Sequence, residues 1–246
     1  MITRAGSNVK LQIRAGDPRI LYYNARMASK RVQQILRALD RAYPNAQCAL
    51  LHDNPLELLV ATILSAQCTD ERVNRVTRDL FRKYRTAPDY VRAPREELEA
   101  DIRSTGFYRN KARSIQGACA LIQEKFKGKV PDTMEAILEL PGVARKTANV
   151  VLGVAYGRAE GIVVDTHVFR VSGRLDLTDS ETPEAVERDL MRRIPRNRWI
   201  LFSHQMILHG RTACRARRPL CRACPLEKIC KSKDKTLIPP EQDANP

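Results

Sequence analysis

The sequence predicts an all-α protein of about ten helices arranged in two lobes. Apolar residues recur at helical spacing from Ala28 onward. The one strand-like run, Ile162-Val163-Val164, is too short to build a sheet. A chain of 246 residues can bury one large core or two modest ones, and it carries no internal repeat of solenoid length.

Each element has a local reason. Positions 1 to 26 hold Arg4, Lys10, Arg14, Arg19 and Arg26 against Asp17, without sustained periodicity, and read as a mobile basic tail. A transit segment, or an upstream start with Met27 opening the domain, are the alternative readings. Val32, Ile35, Leu36 and Leu39 mark a helix that runs toward Pro44. Leu56, Leu59, Val60, Ile63 and Leu64 form a second stripe, with Asn54 as cap and Pro55 at the first helical position. Asp70 is placed to cap a third helix ending near Lys83. Further helices follow Ala93-Pro94 and Tyr108, the latter reaching Phe126 through Ile115, Cys119 and Ile122. Asp132 with Glu135 resembles a capping box ahead of Met134, Ile137 and Leu138. Later helices open near Lys146, Thr166, Pro183 and Trp199.

Charge narrows the partner class. The net charge is +15, with Lys and Arg spread along the chain, which favours a polyanionic partner. A membrane surface is the competing reading of a basic chain. No apolar run approaches the roughly 20 residues of a spanning helix, and the N-terminus lacks the apolar core of a secretory signal. Seven cysteines without an export signal fit a reducing compartment, where Cys48, Cys68 and Cys119 are most simply buried thiols. An intracellular nucleic-acid-binding protein is the working class.

Cys214, Cys221, Cys224 and Cys230 are separated by six, two and five residues. Structural zinc sites usually combine two short knuckles a dozen or more residues apart. One continuous wrap suits a bulkier iron–sulfide cube held by four thiolates. Zinc, free thiols and disulfides are the alternatives for the same four residues. Between Arg211 and Lys235 nine basic residues face only Glu227 and Asp234. Such a run is either a solvated face or, if the cysteines fix the loop bearing Arg215, Arg217 and Arg218, a phosphate-binding surface.

Leu140-Pro141-Gly142-Val143-Ala144-Arg145-Lys146-Thr147-Ala148 lies between two helical stretches. Pro141 and Gly142 break the first helix and favour a tight hairpin. The next helix then presents free N–H groups and its positive dipole end, a seat for phosphate regardless of base sequence. An ordinary helical corner is the plain alternative. Lys146, in the first turn of that helix, near other cations and expected to be partly desolvated, should lose its proton more readily and act as a nucleophile. Asp165 follows Val163-Val164 and precedes Thr166-His167. It can cap a helix and, ionised, face a cation that develops beside Lys146.

Together the hairpin with its lysine, Val164-Asp165-Thr166-His167 and the cysteine wrap resemble the endonuclease III family. These are bifunctional DNA glycosylases of the helix-hairpin-helix superfamily. Leu64-Ser65-Ala66-Gln67 with Thr69-Asp70, and Lys111-Ala112 after Gly106-Phe107-Tyr108, extend the resemblance over roughly residues 28 to 235. It implies a six-helix barrel domain over 48–158 and an iron-sulfur cluster domain formed by 28–47 and 159–235, flanked by tails at 1–27 and 236–246. It also implies a 4Fe–4S cluster on the four cysteines. The partner would be damaged double-stranded DNA, met by a monomer in the cytoplasm at the nucleoid.

The implied chemistry is base excision. A damaged pyrimidine is turned out of the duplex, Lys146 attacks the sugar carbon and forms a Schiff base, and β-elimination cuts the strand. Asp165 stabilises the cationic sugar and assists proton transfers. Gln67 fills the hole left by the flipped base, and Phe107 stands where the family usually has a leucine wedge. Gly142, Ala144, Arg145, Arg215, Arg217 and Arg218 become DNA contacts, while Asp70 and His167 are candidates for the lesion pocket. Ala144 departs from the family's usual glycine, so its Cβ must either displace the loop from phosphate or find a negative φ. A surface amide and a core aromatic are the plain readings of Gln67 and Phe107.

Two other functions compete. An adenine-mispair glycosylase shares hairpin, aspartate and cluster, but it normally lacks the lysine and carries a further C-terminal domain. A non-catalytic iron-sulfur protein that binds DNA or senses redox state leaves the Lys146–Asp165 pair unexplained.

Overall fold

The computed structural model describes residues 28–237. The expectations for the two tails fall largely or wholly outside them. Among the described residues there are eleven α-helices, short 3-10 turns and no strand.

In chain order the helices are α1 (Lys30–Ala42), α2 (Pro55–Leu64), α3 (Asp70–Lys83), α4 (Ala87–Arg92), α5 (Arg95–Ile102), α6 (Tyr108–Phe126), α7 (Met134–Ile137), α8 (Arg145–Tyr156), α9 (Thr166–Arg174), α10 (Pro183–Arg193) and α11 (Trp199–Thr212). Residues 162–164 are buried and form no strand.

Two hydrophobic cores organise these elements. Helices α2 to α6 and α8, with the single turn α7, surround the first, which runs from Leu50 to Leu152. α2 is its centre: Leu58 through Leu64 are all buried, so the helix is apolar all round rather than on one stripe. α1 leaves that core to its C-terminal neighbours and packs with α9, α10 and α11 around Ile35, Leu39, Val168, Leu190 and Phe202. Asp40 ties α1 down by accepting from Arg198 and, at 3.0 Å, from Gln205. The cores meet along α8, where Gly153 lies against Ile200 of α11 and Asn149 donates to the buried Glu187 of α10 at 2.9 Å.

Three local expectations are corrected. The cap of α3 is Thr69, whose hydroxyl accepts from the Arg72 N–H, and Asp70 is the first helical residue. Thr133 caps α7 by accepting from the Ala136 N–H, while Asp132 pairs with Arg158. A threonine beside an aspartate offers the same acceptor chemistry, so sequence left the register open by one residue. The short helix α4 was not anticipated; Thr86 and Asp89 form its capping box, with proline in the first turn.

Candidate active site and nucleic-acid interface

The hairpin is a single tight turn, closed by the Val143 N–H donating to the Leu140 carbonyl at 3.1 Å. Gly142 has φ of 77°, the value required at the third position of a type II turn after proline. A Cβ on Gly142 would lie 2.5 Å from Ser114 Cβ and 2.6 Å from its Oγ, so glycine is needed for space as well as for φ. Ala144 takes the other course open to it: φ is −91° and ψ is 170°, ordinary extended backbone in which a Cβ carries no strain. It is the N-cap of α8 and supplies no side-chain acceptor. The amides of the first turn are therefore not claimed by a capping side chain, which leaves them to an external anion.

Lys146 is the second residue of α8 and is exposed. Its amine has no hydrogen-bond or ion-pair partner among the described residues. Asp165 is the N-cap of α9, accepting from the Val168 N–H through Oδ1 at 2.8 Å. That bond fixes the carboxylate and leaves Oδ2 outside the cap. Lys146 and Asp165 line one cleft of about 160 Å³ that both cores reach, Leu50 and Val150 from the first and Ile207 from the second, with Thr62, Val163 and His204 also in its lining.

Asp70 also lines this cleft and pairs with Arg211 of α11 at 2.7 Å. Because Thr69 does the capping, the Asp70 carboxylate is free for that partner. His167 is not among the lining residues; its Nδ1 lies 3.3 Å from Arg170 and its Cβ is packed against Gly210.

Gln67 and Phe107 are both exposed, Phe107 by 62 %, so the core reading of the aromatic fails. Both backbones are left-handed, at φ of 52° and 48°, a conformation that is uncommon for any residue but glycine. Arg145 is held by Glu187 at 2.9 Å, a carboxylate whose side chain is only 8 % exposed.

The four cysteines line one cavity together with Arg174 and His209. None of the four is in a disulfide. Among the described residues no three His, Cys, Asp or Glu side chains are grouped as ligands of a single ion. Four cysteines lining one cavity are the donor set that a four-iron cube takes. Burial pushes the Cys224 thiol up to about 11, so a thiolate there calls for a cationic centre beside it. Burial likewise holds His209 down to about 4, a neutral imidazole whose Nε2 lies 3.7 Å from Cys224 Sγ. The loop between the first two cysteines hangs on Arg174, which donates to the carbonyls of Arg215 at 2.6 Å and Ala216 at 3.1 Å. Arg215, Arg217 and Arg218 stay exposed.

Several residues of the site gave no local signal. Arg211 sits in a generally basic stretch, and nothing near it in sequence indicates a partner on α3. His204 lines the cleft with its pKa lowered by burial. Cys48 is half-buried, packs against the first core and also lines the cleft, its thiol pKa raised by burial. Glu187 reads as one more polar helix position until Arg145 and Asn149 are seen to converge on it.

Residues 60–196 match the family described as HhH-GPD superfamily base excision DNA repair protein. Endonuclease III of Synechocystis sp. (strain ATCC 27184 / PCC 6803 / Kazusa) is 55 % identical over 209 residues, covering 84 % of this chain and 95 % of the relative. The Bacillus subtilis (strain 168) endonuclease III is 46 % identical, over 84 % of this chain and 94 % of its own. A solved trapped endonuclease III–DNA covalent intermediate superposes with a TM-score of 0.77 at 50 % identity, covering 81 % of this chain and 95 % of that one. A thermostable thymine-DNA glycosylase shares the fold at a TM-score of 0.72 and 22 % identity, covering 82 % of this chain and 96 % of that one. The chain belongs to the HhH-GPD superfamily of base excision DNA repair proteins and, within it, to the endonuclease III family of DNA glycosylase/AP lyases.

Proposed function

We propose that this chain removes oxidised pyrimidines from duplex DNA and cuts the resulting abasic site, with Lys146 as nucleophile and Asp165 as its electrostatic partner. The observation that carries the reading is that these two side chains, from the N-termini of two different helices, line one cleft between the two cores. A base cannot be reached while stacked, so the nucleotide must leave the duplex to enter that cleft.

Lys146 Nζ, as the free amine, attacks C1′. The bond to the base breaks, the base leaves with its electron pair and takes up a proton, and the amine loses its own protons as the sugar ring opens to the imine. Loss of a C2′ proton then expels the 3′ phosphate and cuts the strand. The Asp165 carboxylate, held by the Val168 N–H, offsets positive charge on the sugar during base loss and can receive a proton afterwards. The amides of the first turn of α8 seat a phosphate. Arg145, braced by Glu187, and Arg215, Arg217 and Arg218 meet others. Gln67 and Phe107 enter the space vacated by the flipped nucleotide, and Asp70, fixed by Arg211, faces the lesion.

Cys214, Cys221, Cys224 and Cys230 would hold a 4Fe–4S cluster. When bound it supplies a rigid cross-link for the arginine loop, and no step of base removal passes through it. All the proposed reacting groups come from one chain, which fits action as a monomer. No helix among the described residues is long and apolar enough to cross a membrane, in keeping with a site of action on DNA at the nucleoid.

Borohydride reduction tests the assignment. Wild-type protein should become covalently fixed to DNA bearing a damaged pyrimidine, whereas Lys146→Ala should bind that DNA and give no adduct. Adduct at wild-type yield from Lys146→Ala would remove the nucleophile.

A further inference from the structure

Lys111 is a charged residue in a place where charge is costly. It is 5 % exposed, and burial lowers its pKa. No carboxylate pairs with it. Its ammonium donates instead to two backbone carbonyls, Leu64 at 2.8 Å and Thr105 at 2.8 Å. Leu64 ends α2 three residues before Gln67, and Thr105 lies two residues before Phe107. The backbone N–H of Lys111 also donates to the Phe107 carbonyl at 3.1 Å. One residue is thereby bonded to the segments that carry two of the exposed left-handed residues, Gln67 and Phe107.

Left-handed backbone at a non-glycine residue costs roughly 1–2 kcal/mol and persists only where the surroundings enforce it. The Gln67 turn is closed locally by the Cys68 N–H donating to the Ser65 carbonyl at 3.1 Å, while Gly106 beside Phe107 has open space around it. A buried amine anchored to both segments ties the one to the other. Burying it would be unfavourable unless both carbonyls stayed in place.

We propose that Lys111 is a positioning residue that locks Gln67 and Phe107 into one rigid two-pronged wedge, so that the two enter the duplex together when a nucleotide is flipped. This rests on the proposed function, because a wedge matters only if the cleft receives an extrahelical nucleotide. Two probes that move independently would each lose freedom on entering the stack; a preset pair has already lost it. Lys111 touches neither DNA nor the reacting atoms.

The test is a double-mutant cycle. Lys111→Met keeps the stem and removes the charge and donors. Single-turnover base release from a paired duplex carrying a damaged pyrimidine should fall by about tenfold or more. Borohydride trapping on a preformed abasic site in single-stranded DNA, where no stack must open, should stay within about threefold. The signature is non-additivity: in a Gln67→Ala/Phe107→Ala background, Lys111→Met should cost nothing further in base release. Equal losses on both substrates, or full additivity in the wedge-free background, would overturn the proposal in favour of a merely structural lysine. If Lys111→Met does not fold, hydrogen exchange of the wild type decides. The Cys68 and Gly106 amides should show protection within about threefold of one another, as one opening unit, and a difference beyond about tenfold refutes the lock. Failure of the wild type to be trapped at all would instead sink the proposed function.

Discussion

Gly142→Ala places a methyl group where the hairpin has no room for one, and the size of the effect can be worked out in two parts. The backbone at φ of 77° costs an alanine roughly 1–2 kcal/mol. The added Cβ would stand 2.5 Å from Ser114 Cβ and 2.6 Å from Ser114 Oγ, so either α6 or the hairpin must move. Overpacking of that kind costs about 1–3 kcal/mol. A urea melt should therefore show a loss of about 2–5 kcal/mol, the sum of the two. Activity should fall further than stability explains, because Lys146 follows the turn directly and a misplacement of about 1 Å is worth on the order of a hundredfold in rate. Ser114→Gly separates the two parts. Alone it loses about 1 kcal/mol as a glycine in mid-helix. In the double variant both clashing atoms are gone, the next atom, Ser114 Cα, stands at an ordinary 3.6 Å, and only the φ cost and the mid-helix glycine cost remain. The pair should therefore be less unstable than the sum of the singles by about 1–3 kcal/mol. Strict additivity, or a Gly142→Ala variant as stable and active as wild type, would refute the packing argument.

Asp165→Asn retains the helix cap, since asparagine accepts the Val168 N–H equally well, but removes the charge. Base release should fall by orders of magnitude while cleavage of a preformed abasic site falls less; equal losses would point to a structural role. Replacing Arg215, Arg217 and Arg218 by alanine should flatten the log–log salt dependence of DNA affinity by up to about 3. An unchanged slope would place that loop off the DNA. Anaerobically purified protein should contain four irons and four acid-labile sulfides per chain, and stripping them should cost DNA affinity as the arginine loop loosens; one zinc without sulfide would remove the cluster. The Arg198 guanidinium holds the Asp40 carboxyl below the usual carboxylate range. A depressed folded pKa stabilises above the unfolded value and is lost as pH falls through the folded one. The stability gap between wild type and Asp40→Asn should thus be full above about pH 4 and close below it. A gap independent of pH would mean that the pair contributes no charge-dependent stability.

The candidate site residues were legible because each rests on a local pattern. Pro141-Gly142 fixes a turn, Lys146 follows it by helix geometry, and Asp165 sits at a helix start whatever the rest of the chain does. Four cysteines within seventeen residues must share a neighbourhood. Helical periodicity gave the class and most helix starts, because an amphipathic stripe is a property of consecutive residues. It failed where chemistry was degenerate over one position, as at Thr69-Asp70 and Asp132-Thr133. What the sequence could not settle is what long-range packing decides. Only the folded chain brings Asp70 to Arg211, Arg145 to Glu187, and Lys146 to the same cleft as Asp165 and His204. Only there does Lys111 lie under both Gln67 and Phe107. Nearly all of these pairings join segments distant in sequence, and their partners are fixed by how the helices pack within and between the two cores, not by any spacing along the chain.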